Sequence, residues 1–170
     1  MAALDVTEME SNYLNYSTGL LVSILLRYPE IGTISCCKQQ QTLILKFIMS
    51  KESNFESLQA QLIQALEIFH KIEGRKMKLC CIEKYEQELD LLIITRDLQS
   101  ITQNEINLIV GILKSELGKN LIMEDNNLLE DEILLQEEVI SYMLTAIRSQ
   151  GTEKSITAVR EDGKVLVFNG

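Results

Sequence analysis

Apolar residues along this chain recur first at helical spacing and then at strand spacing. From residue 13 to 28 the apolar positions, including Leu14, share one helical face, and Pro29 ends the segment. Two β-rich runs follow, at 31–37 and 42–49, and a short polar stretch joins them. The pattern therefore predicts a helix followed by a hairpin of two strands.

The same order of elements recurs in the next part of the chain. Ser53 and Glu56 have the spacing of a capping box, in which each side chain satisfies a free backbone N–H at the helix start. Apolar residues then repeat at helical spacing as far as Gly74, a residue type that commonly ends helices. Strands are predicted at 77–82 and 88–95, which gives a second helix–hairpin unit.

A second capping box, formed by Thr102 and Glu105, predicts a third helix that ends at Gly118. The short apolar run 121–123 predicts a single strand after it. This helix and strand stand between the second helix–hairpin unit and the last one.

The last unit has the longest predicted helix, from about 128 to 149. A final hairpin is predicted from strands at 155–159 and 164–168, with Asp162 and Gly163 in the turn. The chain is therefore expected to be an α+β protein, with a mainly antiparallel sheet built from repeated helix–hairpin (αββ) units. Its helices should pack over one face of the sheet, with partial cover on the other.

The size and composition of the chain suit one domain. It has 170 residues, of which 46% are hydrophobic, enough to bury a core without disulfides or metal. We therefore expect a single compact domain over 1–170. The alternative is two subdomains, with two αββ units in 1–123 and a helix plus hairpin in 124–170.

The charge balance weighs against anionic partners. Sixteen Lys and Arg residues against 25 Asp and Glu residues give a formal charge of −9, and no dense basic cluster stands out. Nucleic acids and anionic membranes both attract such clusters, so neither partner is expected. The N-terminus lacks the pattern of a secretory signal, and four cysteines without one are typical of a reducing compartment, which predicts a cytoplasmic protein.

The residues that could carry chemistry have simpler structural interpretations. Cys36–Cys37 and Cys80–Cys81 lie in predicted strands, where adjacent side chains point to opposite faces, so we expect free thiols and no bound metal. His70 is the only histidine, and in the last turn of a helix it would complement the helix dipole. Glycine-rich phosphate loops are missing, and no cofactor and no catalytic residue is predicted.

The most unusual segment of the sequence in charge is an acidic one. No basic residue occurs between Lys119 and Arg148, whereas seven carboxylates do. Acidic residues in a first helical turn stabilise the helix, which accounts for part of the pattern. The alternatives are a binding face for a basic protein partner, with Glu130, Glu137 and Glu138 as the candidate residues, and a divalent-cation site. The partner is favoured because the segment lacks the spacing of an EF-hand loop.

The sequence favours a non-enzymatic interaction or regulatory module that acts through protein–protein contacts. The alternative is an enzyme or small-ligand-binding protein whose pocket is assembled from residues distant in sequence. The terminal hairpin is apolar and could leave an unpaired strand edge, so a homo-oligomer is also expected.

Overall fold

The computed structural model describes residues 16–51, 54–125 and 128–170. Helices and strands alternate along the described chain in the predicted order. They are α1 (Tyr16–Arg27), β1 (Thr33–Cys37), β2 (Thr42–Met49), α2 (Phe55–Ile72), β3 (Cys80–Tyr85), β4 (Asp90–Asp97), α3 (Gln103–Leu117), β5 (Leu121–Ile122), α4 (Glu130–Gln150), β6 (Ile156–Glu161) and β7 (Lys164–Asn169). A short 3-10 turn, Gly118–Asn120, joins α3 to β5.

All seven strands belong to one sheet, in which every paired neighbour is antiparallel. The order is β3-β4-β2-β1-β6-β7, and β5 pairs with the end of β2 beyond the stretch that pairs with β1. The terminal hairpin joins the rest of the sheet because β6 pairs with β1. The predicted α+β fold with a mainly antiparallel sheet is confirmed, and the helix–hairpin units agree roughly with the prediction.

The helices pack on one face of the sheet, and the strand residues that point toward them form the core. The alternation is clear in β2, where Leu43, Leu45 and Phe47 are fully buried and the residues between them are partly exposed. Apolar residues of all four helices complete this core. At about 25 cal/mol per Å² of buried apolar surface, this packing is the main stabilising term of the fold.

Two polar side chains, one buried and one partly buried, fasten α1 to the rest of the molecule. The Tyr28 hydroxyl donates to the Asn107 side chain at 2.5 Å and accepts from Gln103 at 2.8 Å, so it ties the end of α1 to α3. Burial raises the pKa of Tyr28 to about 12. Arg160 of β6 donates to the carbonyl oxygens of Leu25 and Tyr28, which anchors the C-terminal end of α1 on the final hairpin.

The final hairpin has the predicted turn. Asp162 and Gly163 both have positive φ, at 50° and 75°, and connect the strands in two residues. Positive φ at both central positions is the geometry of the hairpin turn whose twist matches that of the strands. β7 lies at one edge of the described sheet.

The hairpin of β3 and β4 lies two to three residues later than predicted. Lys78 and Leu79, which were placed inside the first strand, donate their backbone N–H groups to the Asp97 side chain at 3.1 and 2.9 Å. A side-chain acceptor therefore engages residues that the hydrophobic pattern assigned to the strand. Leu14 of the first predicted helix and Ser53 of the first capping box lie outside the described residues.

Within the part of the chain that the structure describes, no helix has both the length and the apolar character needed to cross a membrane.

Candidate functional site

A cluster of charged side chains lies buried between the sheet and two helices. Arg96 of β4 points toward the helices, in the same row as Leu43 of β2. Its guanidinium donates two hydrogen bonds to the Glu105 carboxylate of α3, from Nε to Oε2 at 2.6 Å and from Nη2 to Oε1 at 2.8 Å. Both side chains are fully buried, so this is a two-pronged ion pair in a medium of low dielectric.

Asp97, Ser100 and the Leu79 carbonyl satisfy the remaining donors of the Arg96 guanidinium. Nη1 donates to Asp97 Oδ1 and to the Leu79 carbonyl at 2.7 Å, and Nη2 donates to Ser100 Oγ at 3.0 Å. Burial alone would lower the pKa of Arg96, but its carboxylate partners outweigh that effect and raise it. Burial by itself would raise the pKa of Asp97. The hydrogen bonds from Leu79 and Ser100 and the charge of Arg96 outweigh burial, and the pKa is lowered.

His70, the only histidine, belongs to the same cluster. It lies in the last turn of α2, 2% exposed, and its Nε2 forms a short hydrogen bond with Glu105 Oε1. Nδ1 is buried and has no hydrogen-bond partner among the described residues. The arrangement suits the tautomer that carries its hydrogen at Nε2 and donates it to the glutamate. His70 therefore holds the end of α2 against the core, in addition to any interaction with the helix dipole.

Glu105 has a different role from the one that its spacing predicted. The Thr102 hydroxyl does accept from the Glu105 N–H, at 3.1 Å, which confirms the N-cap. The Glu105 carboxylate, however, is directed at Arg96 and His70, because a buried guanidinium requires a carboxylate partner. The cluster thus joins β4, α2 and α3. Apart from His70 Nδ1, its charged and polar groups meet partners inside it, which is the geometry of a structural tie.

A cavity next to these helices is small. It has about 140 Å³ and lies between the start of α2 and the end of α3, where Asn54, Ser57, Leu58, Glu116 and Leu117 line it. Pockets for drug-sized ligands typically have about 300–1,000 Å³. This cavity is therefore too small to enclose such a ligand.

The cysteines are free thiols, divided between the two faces of the sheet as strand alternation predicted. Cys36 and Cys80 lie in one row with the buried Leu43, whereas Cys37 and Cys81 point to the other face. Burial raises the pKa of Cys36 to about 12. In the described ranges no three His, Cys, Asp or Glu side chains are grouped so that they could hold a metal ion.

The predicted acidic residues lie on α4, but in two different environments. Glu130 and Glu138 are exposed, whereas Glu137 is partly buried and pairs with Arg27 of α1, from Nη2 to Oε2 at 2.8 Å. Glu137 therefore fastens α4 to α1 and is only partly available to a partner. The structure brings Glu130 and Glu138 to a common side of the helix, two turns apart.

Large apolar side chains lie on the same side of α4. Leu134, Leu135 and Tyr142 are 59%, 58% and 64% exposed, at spacings that place them beside Glu130 and Glu138. We call this surface the α4 outer face. Its residues are Glu130, Asp131, Leu134, Leu135, Glu138 and Tyr142.

A second exposed surface is the face of the sheet that points away from the helices. Strand pairing aligns its residues in rows across β3, β4, β2, β1, β6 and β7. We call it the open face. Its residues are Cys81, Glu83, Tyr85, Leu91, Ile93, Thr95, Ile44, Lys46, Ile48, Thr33, Ser35, Cys37, Thr157, Val159, Glu161, Lys164, Leu166 and Phe168, all partly or largely exposed.

Comparison of the chain with protein-family models, with curated proteins and with solved structures found no match. The functional interpretation therefore rests on the two surfaces and on the buried cluster.

Sequence reasoning missed the Arg96 cluster, although one signal was present. Arg96 occupies the same face of β4 as Leu92 and Ile94, so alternation alone places a guanidinium in the core. That Arg96 meets the Glu105 carboxylate and His70 depends on the packing of α2 and α3, and no sequence spacing indicates those contacts.

Proposed function

We propose that the protein is a non-enzymatic interaction module that binds a basic, amphipathic segment of a partner protein on the α4 outer face. The observation that carries the proposal is the combination of exposed leucines and exposed carboxylates on one side of one helix. Leu134 and Leu135 lie between Glu130 and Glu138 along that side. Such a surface matches an apolar stripe flanked by lysine or arginine.

Electrostatics supports a cationic partner over an anionic one. The chain carries a formal charge of −9, and the first turn of α4 contains Glu130, Asp131 and Glu132. A basic segment would be attracted during encounter, and salt would weaken that attraction. The Arg27–Glu137 pair keeps α4 fixed on α1, so the leucines are presented on a rigid helix.

The test uses a synthetic helix of leucine and lysine as the probe, and its leucine and glutamate analogue as the control. We expect the basic peptide to bind and the acidic one not to bind, as measured by fluorescence anisotropy at low and high salt. Glu130→Lys with Glu138→Lys should weaken binding by about 10-fold or more, since each exposed pair contributes up to about 1 kcal/mol.

The matched control reverses two exposed carboxylates outside the α4 outer face. Glu67→Lys with Glu153→Lys makes the same change in net charge, on α2 and in the loop after α4. If this control weakens binding as much as the α4 variant, attraction to the net charge explains the result and the proposed site is wrong. Circular dichroism of both variants checks that the fold is retained.

The alternative of an enzyme or a small-ligand-binding protein finds no support in the 140 Å³ cavity. The expectation that nucleic acids and membranes are not partners stays a prediction. We further propose that the protein is cytoplasmic, which the four free thiols support, because thiols stay reduced in that compartment.

Self-association is the second part of the proposal. Two surfaces are available for it, the edge of β7 and the open face of the sheet. Exposed strand edges and large apolar faces are both typical contact surfaces between proteins.

A further inference from the structure

We propose that the open face is a homodimer interface, in which two copies of the chain pack sheet against sheet. This inference rests on the self-association proposed above and assigns it to the open face, with a second copy of the chain as the partner. It is independent of the α4 outer face, because the two surfaces have no residue in common.

The open face is apolar over most of its extent. Along β2 and β4 it presents Ile44, Ile48, Leu91 and Ile93, which are partly exposed although residues of the same type on the other face are fully buried. Phe168 of β7 is 53% exposed. Apolar patches larger than a few hundred Å² are uncommon on monomeric proteins and usually mark an interface.

The size of the face suits a dimer. Six strands spaced about 4.8 Å apart are about 29 Å wide, and three rows of side chains extend about 20 Å along the strands, so the flat area is about 600 Å². Standard interfaces bury about 800 Å² of accessible surface per partner, and a corrugated surface exceeds its flat projection. Two such faces can therefore bury an area near that of a stable complex.

The charge of the face favours a second copy as the occupant. The open face carries two lysines, Lys46 and Lys164, and two glutamates, Glu83 and Glu161, so it is neutral on a chain whose formal charge is −9. Two negatively charged copies repel each other in most orientations. The repulsion is weakest when their neutral faces meet. A basic partner, by contrast, would be attracted to the acidic α4 outer face and not to this one.

Several polar groups on the face already have partners within the chain. The Ser35 and Thr157 hydroxyls share a hydrogen bond of 2.9 Å, and Thr157 also donates to the Gly170 carbonyl at 3.1 Å. The Cys81 thiol donates to the Glu83 carboxylate at 3.2 Å. Removing water from groups that are already hydrogen-bonded costs less than removing it from unsatisfied ones. Aligned sheets can then interdigitate their side chains, as in sandwich folds.

The first experiment measures the mass of the protein by light scattering and its dissociation by analytical ultracentrifugation. We expect the wild type to be a dimer at tens of micromolar. Ile44→Glu should weaken the dimer by at least about 30-fold, because it places a carboxylate on each of the two facing sheets. Lys46→Glu should also weaken it, since each face then has a net charge of −2.

Two control variants separate this interface from its alternatives. Leu134→Glu makes a similar change on the α4 outer face and should leave the dimer intact. Asn169→Pro tests the edge of β7. The two-residue turn and the bond from the Gly170 N–H to the Ser155 carbonyl place the Asn169 N–H on the outer edge, and proline removes it. If the dimer is lost in Asn169→Pro and retained in Ile44→Glu, the interface is the edge of β7 and the proposal for the open face is wrong.

Thiol alkylation gives a second readout on the unaltered protein. Cys37 and Cys81 lie on the open face and should react more slowly at dimer-forming concentrations than after dilution, whereas the rate at buried Cys36 should not change. A wild type that stays monomeric at 100 micromolar, roughly the range in which weak dimers form, would overturn the proposal. That result, expected if another segment of the same chain covers the face, would leave the peptide binding on α4 unaffected.

Discussion

The two faces of this sheet are built from the same strands, and often from adjacent residues, yet their environments differ completely. In β2, Leu45 and Phe47 are fully buried under the helices, while Ile44 and Ile48 on the opposite face are partly exposed. Their residue types are alike, so hydrophobicity alone does not decide which face becomes the core. The difference arises because α1, α2 and α3 all pack on one side.

The two faces also differ in the environment of their charged side chains. The helix-covered face carries the buried Arg96, which meets Glu105 and His70 of the helices, whereas the charges in the rows of the open face, Lys46, Glu83, Glu161 and Lys164, are partly or largely exposed. A charge on the covered face must be paired, because removal from water costs several kcal/mol per ion. A charge on the open face can stay hydrated. Substitutions at equivalent positions of the two faces should therefore have different effects.

The largest effect is expected at the buried ion pair. Glu105→Leu removes the main partner of Arg96 and should lower the free energy of unfolding by about 3–5 kcal/mol, because it leaves a buried guanidinium poorly compensated. Urea denaturation followed by circular dichroism measures this change. Arg96→Met combined with Glu105→Leu should lose less stability than Glu105→Leu alone. A double variant that loses more would mean that the charges themselves stabilise the fold.

A smaller effect is expected from a matched pair of truncations in β2. Leu45→Ala should lower the free energy of unfolding by about 2–5 kcal/mol, since it leaves a cavity in the core. Ile44→Ala, one residue earlier and on the open face, should cost less than about 1 kcal/mol in the dilute monomer. Equal losses at the two positions would show that the open face is also buried within a single chain.

The smallest of the three effects concerns Asp97, at the rim of the buried cluster. Its pKa is lower in the folded protein than in the unfolded chain, because N–H groups and Arg96 favour the carboxylate. Its contribution to stability is therefore fully present above the unfolded value of about 3.9, and is lost as the pH falls through the lower folded value.

Asp97→Asn tests this contribution. The variant should lose about 1.5–3 kcal/mol at neutral pH, as expected for hydrogen bonds to a charged group. Its stability should then change less than that of the wild type between pH 5 and pH 2, roughly the window in which an aspartate of lowered pKa titrates. Denaturation curves across this range measure both quantities. If the stability of the two proteins changes in parallel with pH, Asp97 does not make this contribution.

Much of the secondary structure could be predicted from the sequence because its signals are local. The strand 42–49 and the Asp162–Gly163 turn agree with the structure, since alternation and positive φ depend on neighbouring residues only. The Thr102 cap is also local and is confirmed. The strands near residues 80 and 90 lie later than predicted, because Asp97 engages two backbone N–H groups from a distance of 18 and 19 residues.

The sequence by itself determined the fold class, the order of helices and strands, and the division of each cysteine pair between two faces. Each of these follows from periodicity and from residue types within one or two turns of chain. Only the tertiary structure decided that Glu105 pairs with Arg96, that Glu137 is held by Arg27, and that one face of the sheet is left open. Those features depend on where helices pack, and packing is set by contacts between residues far apart in sequence.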